Sequence, residues 1–249
     1  MNTEAKKMNG KRCRNAAERG VENCRAGRAA RACRSRGAVF LAGLIAVLAL
    51  GLALSGCAGL KRPAVEKRHF DLRPERGERV AAPQGAPNLR LRRVQVSPLC
   101  SGREMVFRSG PGAFASDYYN TWFVPPADML SQGLRQWLDG SGLFAHVLDG
   151  ASLAGASLAL EGTANALYGD FSGDAPAAVA EMQFLLLNEA TGHNEIVFSG
   201  SYEERVPLTS EAPAELAAGL RQGVAAIFAR LESDLGKVPD LAAGGQAAR

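Results

Sequence analysis

Residues 158–168, LALEGTANALY, decide the fold of this chain. Leu158, Leu160, Gly162, Ala164, Ala166 and Tyr168 fall on one side of a period-two alternation, with Glu161, Thr163 and Asn165 on the other. That period belongs to an extended strand, whose successive side chains point to opposite faces. Two more strands follow, over residues 178–188 and 195–206, and the turn between them carries Thr191-Gly192, so they read as a hairpin. Beyond the hairpin the period changes. Leu216, Leu220, Val224, Ile227, Leu231 and Leu235 recur at steps of four and three after Pro213. This predicts one long helix with a single apolar stripe, closed by Gly236 and Pro239.

Toward the N-terminus the same patterning continues. Residues 89–96 alternate with a slip at Arg92-Arg93, which predicts a bulged strand. Residues 104–108 and 114–124 read as strands around Gly110-Pro111-Gly112. Pro125-Pro126 then stop the strand and open a helix, with Asp128 in its first turn. Leu130, Leu134, Trp137 and Leu138 hold helical spacing until Gly140 and Gly142. Residues 144–148 and RHFDL at 68–72 are short strand candidates, and no internal repeat is found. The expected architecture is α+β: a mostly antiparallel sheet with two amphipathic helices on one face, spanning residues 89–238, with 239–249 as a disordered tail.

The composition is that of a globular protein, 249 residues with 47% hydrophobic and 22% charged. Its net charge of +4 averages unlike segments. Residues 1–56 hold 11 Lys/Arg against 3 Asp/Glu, whereas residues 57–249 hold 18 against 22. The body is therefore acidic, and nucleic-acid binding loses its compositional support. A second asymmetry lies inside the body: residues 61–108 carry 12 basic and 5 acidic residues, and residues 109–249 carry 6 and 17. Pro63, Pro74, Pro83, Gly85 and Pro87 punctuate the basic part. Residues 57–88 are expected to be a flexible basic tether, either drawn to anionic head groups or an acidic partner, or simply held extended in solvent.

The lead has its own logic. Residues 38–54, AVFLAGLIAVLALGLAL, form an unbroken apolar run behind Arg25, Arg28, Arg31, Arg34 and Arg36. Basic residues before an apolar helix make a segment that inserts with its charged end in the cytoplasm. The next residues, Leu54-Ser55-Gly56-Cys57, resemble the bacterial lipobox. That resemblance implies that residues 1–56 are a signal peptide and that Cys57 is the lipidation site, its thiol taking up a diacylglyceryl group. Ala58, by resemblance to enterobacterial sorting, favours the outer membrane over retention in the inner one. The lead exceeds the usual ~15–30 residues of a signal peptide, which leaves a later start, for example at Val21, open.

No pattern of catalysis emerges. His69, His146 and His193 lie far apart and outside His-Glu-x-x-His spacing. Gly-x-Ser-x-Gly and the phosphate-cradling Gly-x-x-x-x-Gly-Lys are absent, so neither an enzyme nor a cofactor is expected. Cys100 is the one cysteine of the body after Cys57 and reads as a buried thiol. Tyr118, Tyr119 and Trp122 cluster before the Pro-Pro stop. They read either as core beneath a helix or as a partner or lipid contact, since exposed aromatics mark interfaces.

The order of these features resembles a known family. His69-Phe70-Asp71-Leu72, then Val94-Gln95-Val96, then Val106, Phe107 and Arg108, then Tyr118, Tyr119 and Trp122 before Pro125 and Pro126, then Leu130 and Leu138, then Phe144 and Val147, is similar to the ABC-type transport auxiliary lipoproteins. The resemblance covers residues 67–235; His69-Phe70 stands where the family has Tyr-Tyr, and Phe123 where a small residue is common. It implies a non-catalytic, outer-membrane lipoprotein facing the periplasm. Its implied partners are a periplasmic MCE-domain protein and the associated ABC transporter, in a system that moves phospholipid between membranes. Self-association stays open, as does the alternative of a structural envelope lipoprotein unconnected with transport.

Overall fold

The clarity of residues 158–168 has a topological cause: they lie in a central strand with hydrogen-bonded neighbours on both edges. The computed structural model describes residues 40–47, 66–190 and 192–239. The chain divides into two compact units, Met1–Pro63 and Ala64–Arg249. In the first unit, residues 40–47 form helix α1, the described part of the apolar run. The remainder of the expected signal peptide, with Cys57, lies outside the described residues, as do residues 240–249 of the expected tail. Among the described residues no helix is long and apolar enough to cross a membrane.

The second unit is an α+β domain. Its strands are β1 (Arg68–Phe70), β2 (Asn88–Leu91), β3 (Gln95–Val96), β4 (Glu104–Gly110), β5 (Ala113–Trp122), β6 (His146–Asp149), β7 (Leu158–Asp170), β8 (Ala177–Asn188) and β9 (Glu195–Pro207). Its helices are α2 (Pro126–Asp139) and α3 (Pro213–Leu235). The long ladders, β7–β8, β8–β9 and β4–β5, are antiparallel, as expected. Short parallel pairings join them: β2, β3 and β4 pair in turn along β7, β2 also pairs β6, and β1 pairs β5. The slip at Arg92-Arg93 separates β2 from β3.

One phase expectation fails. The register of β7 on β8 shifts between Ala164 and Ala166, leaving Asn165 as an extra residue. An extra residue inverts every later side chain. Leu167 therefore enters the core, and Tyr168, expected on the face of Leu158, meets Phe114 edge-on at 5.4 Å.

The helices cover the apolar face. Leu216, Leu220, Val224, Ile227, Leu231 and Leu235 of α3 are all buried, with Ala178, Ala180, Met182 and Phe184 of β8 in the same core. Trp137 of α2 meets Phe228 of α3 at 5.9 Å, and its Nε1 donates to Glu232 Oε2 at 2.8 Å. Gly219 lets α3 approach β8 closely: a Cβ there would stand 2.9 Å from Ala178 Cβ and 2.5 Å from Leu208 Cδ2.

The expected tether over residues 57–88 needs correction. Residues 57–65 lie outside the described ones, but residues 68–80 are part of the domain. β1 extends the sheet, Leu72 is fully buried, and its N–H donates to Met129 Sδ at 3.4 Å. Arg76 forms an ion pair with Glu232 and lies over the Trp137 ring, and Val80 N–H donates to the Gly140 carbonyl at 2.9 Å. This stretch hid because its anchor points, Phe70 and Leu72, are few and spaced by charges and prolines.

Folding also resolves the charge asymmetry. Arg76 and Arg79 pair with Glu232 and Asp139. Arg90, Arg92 and Arg93 pair with Glu189, Glu161 and Asp128, and Arg108 pairs with Asp170. Each pair joins the basic N-terminal part to the acidic C-terminal part, so six of the twelve basic residues of that stretch are neutralised within the domain. The strongest of these sites is Asp170, 2% exposed, which accepts from Arg108 Nε at 3.1 Å, Arg205 at 2.7 Å and the Ser172 hydroxyl at 2.6 Å. Hydrogen bonds from Arg108 first, then Ser172 and Arg205, hold its carboxyl far below the usual carboxylate range.

Candidate interaction surface

The sequence places its aromatic cluster at the end of β5, and the backbone there is built unusually. Thr121 pairs with Glu104, but Met105 pairs with Asp117, so Tyr118, Tyr119 and Asn120 have no opposite residues on β4. Such a bulge leaves N–H groups without ladder partners. Asp117 supplies them: its Oδ1 accepts from Tyr119 N–H at 2.8 Å and Asn120 N–H at 3.0 Å, and its Oδ2 accepts from Asn120 Nδ2 at 2.7 Å. Burial alone would raise the Asp117 pKa, but these hydrogen bonds outweigh it and the carboxyl is lowered.

The bulge divides the predicted trio. Trp122 is 2% exposed and belongs to the core, so it is no surface contact. Tyr118 and Tyr119 stand out of the sheet, 65% and 44% exposed, with their rings edge-on at 5.2 Å. β1 brings further groups to them. Lys67 Nζ lies 4.0 Å above the Tyr118 ring, and His69 meets Phe123 edge-on at 6.2 Å. Lys67 and His69 are two residues apart on an extended chain and so share a face. Tyr118 and Phe123 therefore flank one exposed edge, where Phe123 is 66% exposed and Val124 37%. Arg68, pointing the other way, donates from Nε to Asn120 Oδ1 at 3.0 Å and fixes β1 to the bulge.

Sequence reasoning found the tyrosines but missed Lys67, His69 and Phe123 as their neighbours. The signal was KRHF at residues 67–70, between Pro63 and Pro74, readable only once β1 is known to pair with β5. The remaining candidates do not join this surface. His146 and His193 are exposed and distant in sequence from it, and among the described residues no group of His, Cys, Asp and Glu is arranged to hold a metal. Cys100 is buried, and burial raises its thiol pKa, which keeps it protonated and unreactive. A groove of about 540 Å³ between the β2–β3 slip, α2 and the β6–β7 loop holds Arg92, Arg93 and Arg135, but Asp128 already occupies Arg93, and Glu161 and Glu189 occupy Arg92. An exposed aromatic edge with a cation can bind a surface; within it His69 Nδ1 lies 2.9 Å from the Thr121 hydroxyl, which ties β1 to β5.

Comparison with known proteins agrees with this domain. A crystal structure of protein XCC0632 from Xanthomonas campestris matches with 20% identity and a TM-score of 0.60, covering 72% of this chain and 97% of that one. A second crystal structure, of an uncharacterised protein, matches with 18% identity and a TM-score of 0.52, covering 65% and 99%. These likenesses establish the fold. Curated protein sequences give no match. The family model for the ABC-type transport auxiliary lipoprotein component matches residues 70–231, from β1 into α3. The match begins inside the stretch that pattern alone had assigned to a tether. It spans well over half of the chain, and the chain belongs to the ABC-type transport auxiliary lipoprotein component family.

Proposed function

We propose that this protein is anchored through a lipid on Cys57 in the outer membrane, facing the periplasm. There it serves as the non-catalytic auxiliary of an MCE-type intermembrane phospholipid transport system, docking the periplasmic assembly that an ABC transporter energises. One observation carries the reading: the family match over residues 70–231 coincides with the folded domain, and that domain follows Leu54-Ser55-Gly56-Cys57 at short distance. A domain with no reactive cluster among its described residues fits an adaptor, whose work is to hold partners together. Anchoring confines the domain to one surface, which raises its effective concentration toward a partner standing there.

The internal pairing of the arginines changes what this docking depends on. Arg90, Arg92, Arg93 and Arg108 are already partnered, so steering by free positive charge has few contributors. Docking then depends less on free charge, and co-purification should survive moderate salt. The test is affinity purification of the full-length lipoprotein from envelopes solubilised in mild detergent. Recovery of an MCE-domain protein together with transporter subunits is the expected result. Recovery of neither, from cells that contain them, would leave the structural envelope lipoprotein as the better reading.

A further inference from the structure

We infer that the exposed edge formed by Lys67, His69, Tyr118, Tyr119 and Phe123 is a membrane-contacting face that seats the domain on the lipid surface bearing its anchor. The inference rests on the proposed lipidation of Cys57 and adds to it an orientation. Ten residues separate Cys57 from Lys67, and an extended chain of that length reaches at most ~36 Å. The chain arriving from the anchor thus enters the fold at this edge, since Lys67 itself touches Tyr118. The other exposed large apolar side chains among the described residues of the domain are Val80, Leu99, Leu153 and Ile196, scattered along the chain, and Phe114 of β5, 40% exposed, whose ring packs against Tyr168. Isolated exposed apolar side chains are ordinary, but a contiguous group marks a contact.

The chemistry of the edge suits a bilayer interface. Tyrosine places an apolar ring against the acyl boundary and its hydroxyl among head groups, and phenylalanine adds a purely apolar wedge. The sequence of residues 61–68 carries Lys61, Arg62, Lys67 and Arg68 against one acidic residue, Glu66. Unlike Arg76, Arg79, Arg90, Arg92, Arg93 and Arg108, Lys67 has no carboxylate partner among the described residues, so its charge at the edge is free for anionic head groups. The Asp117-capped bulge supplies the rigidity: it lifts Tyr118 and Tyr119 out of the sheet on a fixed backbone, as a wedge must be held.

The experiment uses the full mature lipoprotein reconstituted into vesicles of phosphatidylethanolamine and phosphatidylglycerol. An environment-sensitive fluorophore is placed at Ser116→Cys, beside the bulge, or at Leu153→Cys as reference. Ser116 pairs with Val106 near the Asp170 end of β7, whereas Leu153 precedes the Leu158 end, roughly 30 Å away along the strand. Nitroxide-bearing lipids should quench the label at 116 at least threefold more than the label at 153. Tyr118→Ser with Phe123→Ser in the Ser116→Cys background should bring the two to parity while the protein stays vesicle-bound. Equal quenching at 116 and 153 in the parent overturns the inference, and intermolecular crosslinking at 116 without lipid quenching assigns the edge to a second copy instead. Mass analysis of the N-terminal peptide reads lipidation separately. A lipid-bearing protein with an unquenched label 116 sinks this inference alone; an unlipidated Cys57 removes the anchor reading and, with it, the reach that supports this one.

Discussion

Two glycines on one helix face should respond oppositely to the same substitution. Gly219 and Gly223 sit one turn apart on α3, both buried against β8 and β9. In a helix interior, Gly→Ala gains about 0.5–1 kcal/mol by restricting the unfolded chain. At Gly223 the new methyl would meet Ala180 Cβ at 3.5 Å, Glu204 Cβ at 3.6 Å and Val206 Cγ2 at 3.6 Å, all ordinary contacts. Propensity and packing then add, and Gly223→Ala should stabilise by about 1 kcal/mol. At Gly219 the methyl would fall 2.9 Å from Ala178 Cβ, which is fixed to the backbone of β8 and cannot rotate away. Leu208 can yield; Ala178 can yield only if α3 lifts off the sheet. Overpacking of this kind costs about 1–3 kcal/mol, so Gly219→Ala should lose about 1–2 kcal/mol after the propensity gain. The two variants are then about 2–3 kcal/mol apart, or roughly 4–12 °C in Tm for a domain of this size. Thermal unfolding followed by circular dichroism measures the difference. Equal shifts in the same direction would refute the close approach of α3 to β8 at Gly219.

Leu220→Asp places a charge where the side chain is 1% exposed, and should cost about 3–5 kcal/mol in denaturant titration; a change below about 1 kcal/mol would mean α3 is not packed as described. Asp170→Ala leaves Arg108 and Arg205 without their common acceptor, but both guanidiniums keep access to water, so the loss should be about 1–3 kcal/mol. Its pH dependence follows from the lowered folded pKa: the stabilisation is full above the unfolded value of about 4 and is lost as pH falls toward the folded value. Stability of the parent should therefore drop on acidification below pH 4 more steeply than that of Asp170→Ala, and parallel acid-unfolding curves would contradict the ion-pair assignment. Cys57→Ser should abolish incorporation of a palmitate analogue, and equal labelling of variant and parent would remove the lipid anchor from the proposed function.

What the sequence reveals here depends on whether an element's partners are close by in the chain. β7, β8, β9 and α3 follow one another and pack on one another, so each alternation or stripe was written against a neighbour and could be read alone. β1 is three residues long and pairs with a strand some fifty residues later, which no local period can announce. The inverted half of β7 failed for a related reason: Asn165 is a plausible outward residue in either phase, and only the partner strand reveals that it is surplus. Trp122 and Tyr118 are four residues apart, which in an unbroken strand puts them on one face, yet the three-residue bulge buries one and exposes the other. The Asp-Tyr-Tyr-Asn run held a clue, because an Asp followed by two N–H groups commonly caps a local turn.

The basic segment after the proposed anchor carries the larger consequence. Read as composition, twelve Lys/Arg against five Asp/Glu over residues 61–108 suggested a mobile, cationic lead-in to an acidic domain. In the fold, opposite composition is the reason the two parts join: Arg76, Arg79, Arg92, Arg93 and Arg108 each close on a carboxylate from residues 109–249. Exposed ion pairs are individually worth little, about 0–1 kcal/mol. They act here together with buried Leu72 and the Arg76–Trp137 contact, which supply the apolar attachment that charge alone lacks. The segment therefore works as a strap and not as a tether, and its loss of length matters mechanically. If Cys57 bears the proposed lipid, a thirty-residue linker would let the domain roam ~100 Å from it, while ten residues would hold it within ~36 Å. A domain so confined would meet its membrane repeatedly, and the proposed contact through Tyr118 and Phe123 would then restrict its orientation. An adaptor for a fixed assembly gains from that restriction, because each lost rotational freedom is one that docking no longer has to remove.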